Sequence, residues 1–416
     1  MKMHPVVSKV EPRNFMAAVV AAVMVVIFLS SISLGEDPLR RDLPRRAVAG
    51  TAGVVIAASV NFVVLGDVHY DKLEFHDLDW VKNKWVNPDD HRQITQEYTV
   101  FTAQNWDKLM KAVERRIDEG DGKVKGIVQL GDLMEGIAGS PELAKKMNNG
   151  AVQALKEPNF SVPWILVKGN HDGRYGPGEA EAYNEIMVPF RNKQLGITTA
   201  SISFRYKVGD VEFFCPDSEM KPDELIAFLE KGLTESTAKF KFVAMHIPMI
   251  PVTGRCWDVF KFNDMKTRAE NQERLLGLIA KNKAIVLCAH LHRYSVVRRE
   301  TKQGPVVQVM VNSVIRDGNS PPPYWYSKEF GPGMVDMEPN FAPATQEQRR
   351  EVLRQEAKYV TDFRIADLPG YAVLAIKGDR VSLRMYRGVS NTVQEEVDLT
   401  KMLEKSGQVT DANANR

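Results

Sequence analysis

Short apolar runs punctuate the chain, and the residues just beyond each run are more informative than the run itself. Residues 62–65, 126–130, 164–167, 242–245 and 284–288 are almost continuously hydrophobic. Runs of that length without alternation read as β-strands buried on both faces. Between them the period changes. Trp106, Leu109, Met110, Val113 and Ile117 recur at helical spacing up to Gly120, and Ser140-Pro141-Glu142 supplies a cap and a first-turn proline for the next helix. Residues 222–229, 271–280 and 345–359 predict three more helices. Strand and helix in alternation predict βαβ units in a largely parallel sheet, whose ligands lie beyond the carboxyl ends of the strands. Residues 201–217 alternate about a Gly209-Asp210 turn and predict a hairpin that starts a second sheet. A second hairpin is predicted from 371–376 and 381–386, about Gly378-Asp379.

All five runs end in the same kind of residue. The first leads into Gly66-Asp67-Val68-His69 and the second into Gly131-Asp132-Leu133-Met134-Glu135. The third passes through Lys168 into Gly169-Asn170-His171-Asp172, the fourth ends at His246, and the fifth at Ala289-His290-Leu291-His292. Five of the eight histidines lie in these clusters, while His76 and His91, in an insertion at 71–100, have no such company. Singly, a Gly-Asp after a strand is ordinary turn chemistry. Together, two carboxylates, four imidazoles and a carboxamide oxygen at one sheet edge, without cationic partners, need divalent cations to be stable. Asp67, His69, Asp132, Asn170, His246, His290 and His292 make seven ligands. With one carboxylate shared, they suit two metals about 3.5–4 Å apart, the spacing used for phosphate ester displacement.

In this order the five blocks closely resemble the calcineurin-like metallophosphoesterase family, over residues 62–292. The resemblance implies a two-sheet β-sandwich flanked by helices, a four-layer α/β/β/α fold. It implies one metal held by Asp67, His69 and His292, a second held by Asn170, His246 and His290, and Asp132 bridging both. His171, with Asp172 beside it to orient the ring, falls at the catalytic position that contacts the phosphate or protonates the leaving oxygen. The metals implied are Mn, Fe or Zn, since imidazole and carboxylate donors do not select sharply among them. The activity implied is hydrolysis of phosphomonoesters or phosphodiesters of small molecules by a hydroxide shared between the metals, with no side chain phosphorylated. A catalytically inactive scaffold or binding protein of the same fold is the alternative, against which the intact ligand set argues. Ala289 stands where the family usually has Gly, and Glu135 where Asp is more frequent. The purple acid phosphatase branch would carry Tyr at Glu135 and lacks a His at the position of His69. No Gly-x-x-x-x-Gly-Lys-Ser/Thr loop and no Gly-x-Ser-x-Gly elbow is present, which removes P-loop and serine esterase chemistry.

Composition adds little to this and contradicts none of it. The 416 residues are 44% hydrophobic and 26% charged, an ordinary globular balance. The net charge is +2, but residues 1–46 hold seven basic and four acidic side chains, so the remainder nets −1 and offers no basic face for nucleic acid. Cys215, Cys256 and Cys288 are odd in number, lie at no metal-ligand spacing, and read as buried small hydrophobes. Residues 1–58 read as a leader. Residues 14–35 carry no charge and are long enough to span a bilayer. Arg40-Arg41-Asp42-Leu43 with small Ala57 and Ala58 downstream is similar to a twin-arginine export signal. The expectation is a protein exported to a periplasmic or other extracytoplasmic space, or held at a membrane through its N-terminus. The catalytic domain is expected at 59–400, with insertions at 71–100 and 317–370, and a polar tail at 401–416. The first insertion is expected to be a packed surface excursion. In the second, Tyr324, Trp325 and Tyr326 are available either to overhang the metals or to pack.

Overall fold

The apolar runs form strands because both of their faces are covered. In the computed structural model, residues 59–119, 123–255, 265–318, 322–338 and 341–404 are described. The leader, Cys256 and residues 405–416 lie outside them, so the export and anchor expectations concern residues not described. Among the described residues, no helix is long and apolar enough to cross a membrane.

Fourteen strands build two sheets among these residues. They are β1 (Val60–Leu65), β2 (Lys123–Gln129), β3 (Trp164–Leu166), β4 (Phe204–Val208), β5 (Val211–Cys215), β6 (Phe240–Ala244) and β7 (Ile285–Cys288). Then come β8 (Tyr294–Thr301), β9 (Gly304–Met310), β10 (Tyr324–Ser327), β11 (Val360–Asp367), β12 (Gly370–Lys377), β13 (Arg380–Arg387) and β14 (Val393–Asp398). One sheet has the order β14-β13-β12-β1-β2-β3, and the other β10-β11-β8-β9-β7-β6-β5-β4. Both are mixed: β1, β2 and β3 are mutually parallel beside the antiparallel β12 to β14, and β5, β6, β7 and β9 are parallel between antiparallel edges.

Along β1, alternate residues serve different layers. Phe62 and Val64 face the other sheet, where Phe62 meets Phe213 edge to face with ring centroids 4.8 Å apart. Val63 and Leu65 face the helices Thr99–Glu119 and Pro141–Lys156, whose Trp106, Leu109, Met110, Ala144, Met147 and Leu155 pack on that side. On the outer face of the second sheet, Phe214, Val243 and Val286 pack against helices Pro222–Glu235 and Met265–Lys281. The layers are helix, sheet, sheet, helix, as the family resemblance implies. Burying both faces of two sheets removes thousands of square ångströms of apolar surface from water, the dominant favourable contribution to the fold.

A single largely parallel sheet carrying all five clusters at one edge is not what forms. The clusters divide three to two between the sheets, because a doubly buried run records burial and not which sheet buries it. They meet nonetheless: the amide of His290, after β7, donates to Oδ1 of Asp67, after β1, at 2.9 Å. The predicted hairpins are β4–β5, which forms one edge of the eight-stranded sheet, and β12–β13.

Candidate metal centre

Each cluster sits on a turn that begins where a strand runs out of partners. Gly66 is pressed so close to the next loop that a Cβ there would lie 1.9 Å from the carbonyl oxygen of Val311. A Cβ on Gly169 would lie 2.2 Å from both the amide nitrogen and Oδ1 of Asp132. The glycines before Asp67 and Asn170 therefore let loops touch. His69, Asp132, His290 and His292 all have left-handed backbones, with φ of 49°, 51°, 78° and 49°. Such strain in non-glycine residues is typical of functional sites and costs about 1–3 kcal/mol per residue. Side chains brace these turns from below. Gln129, the one polar residue of its apolar run, is fully buried and both donates to the carbonyl of Gly131 at 2.8 Å and accepts from its amide at 3.0 Å. Ser313 accepts from the amide of Gly66, Ser218 from the amide of His246, and Asn312 donates to the carbonyl of His292.

The seven sequence-predicted ligands converge. Asp67, His69 and His292 form one group of ligand atoms mutually within 4.8 Å, and Asp132, His246 and His290 form another. Oδ1 of Asn170 lies 3.0 Å from Nε2 of His246. His246 Nδ1 donates to the carbonyl of Leu130 at 2.9 Å, which turns the lone pair of Nε2 onto Asp132 Oδ2, also 3.0 Å away. That nitrogen thus faces two acceptor oxygens and, at 3.2 Å, Nδ1 of His290, a set of donors and lone pairs that a cation would hold together. The other group repeats the arrangement, with His69 Nδ1 lying 2.6 Å from Glu135 Oε2 and His69 Nε2 lying 2.9 Å from Nε2 of His292. Oδ2 of Asp67 is buried without a hydrogen-bond partner. Imidazoles held by a carbonyl or carboxylate on one nitrogen, with the other turned into the cluster, match the way proteins orient metal-binding histidines. The residues present fit a pair of divalent cations.

Burial and proximity set opposing charges at the centre. Burial pushes the Asp67 carboxyl up to about 6, against the pull of His246. Burial works against ionisation of Asp132 too, but His246 and His171 hold it well below the usual carboxylate range. His246 is buried, yet Asp132 raises it to about 9. Burial, followed by the neighbouring imidazoles His246 and His69, holds His290 and His292 well below their ordinary range, which keeps them neutral and able to donate a lone pair.

His171 belongs to neither of these groups, but with His69 and Glu135 it forms a third set of ligand atoms within the same 4.8 Å limit. Its amide donates to Asp132 Oδ1 at 2.8 Å and its Nδ1 donates to the carbonyl of Glu135 at 2.6 Å. Nε2 is left on a ring that lines the cleft. Asp172 does not orient that ring. Its two carboxylate oxygens accept from the amides of Met134, at 3.1 Å, and Gly169, at 2.8 Å, so it ties the second cluster to the third. The expected orienting role falls to Glu135, because adjacency in sequence at a turn sends successive side chains in different directions. Tyr98 was not singled out by sequence, and it stacks on His69 with centroids 4.3 Å apart.

The centre floors a cleft of about 830 Å³. Trp85, Val86, Asn87 and Asp90 line it, so the 71–100 insertion is a wall of the site and not a surface excursion. His76 is bonded to Asp71 and the carbonyl of Ile137, away from the ligands. From the second insertion, Glu338, Phe341 and Arg349 reach the cleft, whereas Tyr324, Trp325 and Tyr326 form the edge strand β10 paired with β11. Cys215 and Cys288 are buried free thiols.

A family model described as calcineurin-like phosphoesterase matches residues 60–294. No curated protein matches the chain. Among solved structures, a purple acid phosphatase from seeds of yellow lupin, Lupinus luteus, is similar at 12% identity and a TM-score of 0.48, over 84% of this chain and 56% of that one. PhoD is similar at 12% identity and a TM-score of 0.45, over 82% of this chain and 69% of that one. A dimetal phosphatase from Danio rerio is similar at 12% identity and a TM-score of 0.44, over 82% of this chain and 98% of that one. The chain thus spans little more than half the length of the lupin protein.

Proposed function

The chain belongs to the calcineurin-like phosphoesterase family, and from that premise we propose that its cleft hydrolyses phosphate esters of small molecules with the help of two divalent cations, Mn, Fe or Zn. The observation that carries this reading is the pair of carboxylate and imidazole groups whose ring nitrogens converge on one another and on buried carboxylate oxygens. Asp67, His69 and His292 would hold one cation; Asn170, His246 and His290 would hold the other, with Asp132 shared. Such a pair lowers the pKa of a water, polarises phosphoryl oxygens and offsets the charge that develops as the ester bond breaks.

The chain's own residues supply the rest. Glu135 fixes the ring of His69 through its carboxylate and that of His171 through its carbonyl. With Nδ1 committed as a donor, His171 has Nε2 available to donate a hydrogen bond to the phosphoryl group or a proton to the leaving oxygen. Asp172 keeps the Asp132 and Gly169 turns in register, so it positions and does not react. The expected result of elemental analysis on active protein is close to two equivalents of transition metal per chain. Asp132→Asn should weaken retention of both, since its one carboxylate serves both groups. Active protein free of metal would sink the proposal.

A further inference from the structure

The rim of the cleft is uneven in charge. Five arginines line it: Arg92, Arg255, Arg293, Arg316 and Arg349. Three are engaged. Arg92 pairs with Glu97 and Asp89, Arg255 with Glu338 at 3.5 Å, and the largely buried Arg349 donates to Thr345 and to the carbonyl of Gly254. Arg293 and Arg316 have no carboxylate of the described residues within ion-pair distance. Arg293 donates one bond, to the carbonyl of His292 at 3.0 Å, and its guanidinium lies over the ring of Tyr326, 5.0 Å from the centroid. Arg316 is exposed and acts on two phenols, that of Tyr326 and that of Tyr98, the residue stacked on His69. Asp367 also acts on Tyr326 but pairs with neither arginine. The acids that do line the cleft are spent elsewhere, Asp90 on Trp85 and Asn87, Glu97 on Arg92, Glu338 on Arg255, and Asp132 on His246 at the centre.

Two guanidiniums therefore stand without counter-ions among the described residues, at the His69 and His292 end of the cleft. The other end, around Asn170 and His171, is bordered by Tyr175 and Trp85. Arginine's planar fork matches a phosphoryl group, and a charge-assisted bond to a dianion is stronger than a neutral one. Repulsion between cations at one rim is relieved when such a dianion binds. We propose that Arg293 and Arg316 form a second anion subsite, and that the substrates of this cleft are phosphate esters carrying a second phosphoryl group. The inference rests on the phosphoesterase reading above and narrows its substrate class.

The test compares butane-1,4-diol bisphosphate with butyl phosphate, using the full-length protein carrying its metals. The kcat/KM ratio of bisphosphate to monophosphate should be about tenfold or more in the wild type, the effect of one good charge-assisted contact. It should fall several-fold in Arg293→Gln and in Arg316→Gln. In the double variant it should fall to about two, the value expected when two equivalent ends react independently. A ratio near two in the wild type, or one that survives both substitutions, overturns the subsite. If neither ester is turned over, the phosphoesterase reading fails by itself, and calorimetric binding of the bisphosphate then decides the subsite. Binding lost in the double variant upholds it, and binding unchanged in that variant overturns it.

Discussion

Glu135 is the residue on which the two kinds of histidine depend. Its carboxylate is buried against His69 Nδ1, and its main-chain carbonyl receives His171 Nδ1. The two contacts separate by substitution. Glu135→Gln keeps the carbonyl but weakens the hold on His69, so metal affinity should fall by about 10- to 100-fold, as when an outer partner of a metal ligand is altered. His171→Ala should keep both metals, lose about 10²- to 10⁴-fold on alkyl phosphate esters, and lose much less on nitrophenyl esters, whose leaving group needs no proton. Equal loss on both ester types with metals retained would mean that His171 only contacts a phosphoryl oxygen. Loss of metal in His171→Ala would mean it is a ligand. The seven positions that converge on the centre were legible in the sequence because they cluster just past the ends of apolar runs. The role of Glu135 was not, since a carboxylate three residues past a ligand carries no sign of where its side chain turns. Gln129 did leave a signal: an amide inside an apolar run must find partners, and here it braces the turn below Asp132.

At the scale of elements, the centre is a meeting of turns, and its tolerance to change is set by how closely they approach. Gly169→Ala would drive a Cβ into the amide and carboxylate of Asp132, where neither is the free end of a flexible chain. Stability should fall by about 1–3 kcal/mol, the range for overpacking, and metal content should fall with it because Asp132 is the proposed shared ligand. Ala289→Gly is the contrasting change. Ala289 is buried with its amide bonded to the carbonyl of His246 at 2.9 Å, so the methyl already has room there. That variant should retain its metals and lose little stability by chemical denaturation. If Gly169→Ala retained both metals and wild-type stability, the close contact of the two turns would not be what shapes the centre. Both predicted hairpins and the helices and strands that a local period specifies were legible at this scale, whereas the helices at Leu78–Lys84 and Pro88–Gln93 and strands β8, β10, β11 and β14 were not. Which sheet each strand joins was not, because pairing is decided between segments far apart in the chain.

The whole molecule adds the walls of the cleft, and one buried acid shows how they are tied to the centre. Residues of the first insertion reach the loop after Glu135 through a small cluster of Val81, Ile94 and Ile137, with Trp80, Trp85 and Tyr175 packed around it. No sequence period announces such contacts, nor two lone arginines at a rim, which is why the insertion read as an excursion. Glu179 underpins the cluster: its Oε1 accepts from the amide of Ala138 at 2.9 Å, while Oε2 is buried without a partner. Burial pushes this carboxyl from 4.5 up to about 8, with the backbone amides of Ala138, Ile137 and Tyr175 pulling the other way. The sign of the consequence is fixed by proton counting. Below the unfolded value both states hold the proton, and Glu179 adds no pH dependence. As pH rises from about 4.5 to about 8, the unfolded chain releases its proton while the folded one keeps it, so stability declines, at most by about 1.4 kcal/mol per pH unit. Above about 8 both are ionised and the deficit stays constant. Glu179→Gln removes this titration and keeps an oxygen for the Ala138 amide. Melting temperatures of variant and wild type, both freed of metal by a chelator, should therefore diverge with rising pH in the variant's favour, and the gap should level off above about 8. Taking the difference cancels the titration of the metal ligands, which both proteins share. A gap that stays flat from pH 5 to pH 9 would mean that Glu179 is already ionised in the folded protein, and that its second oxygen finds a donor in solution.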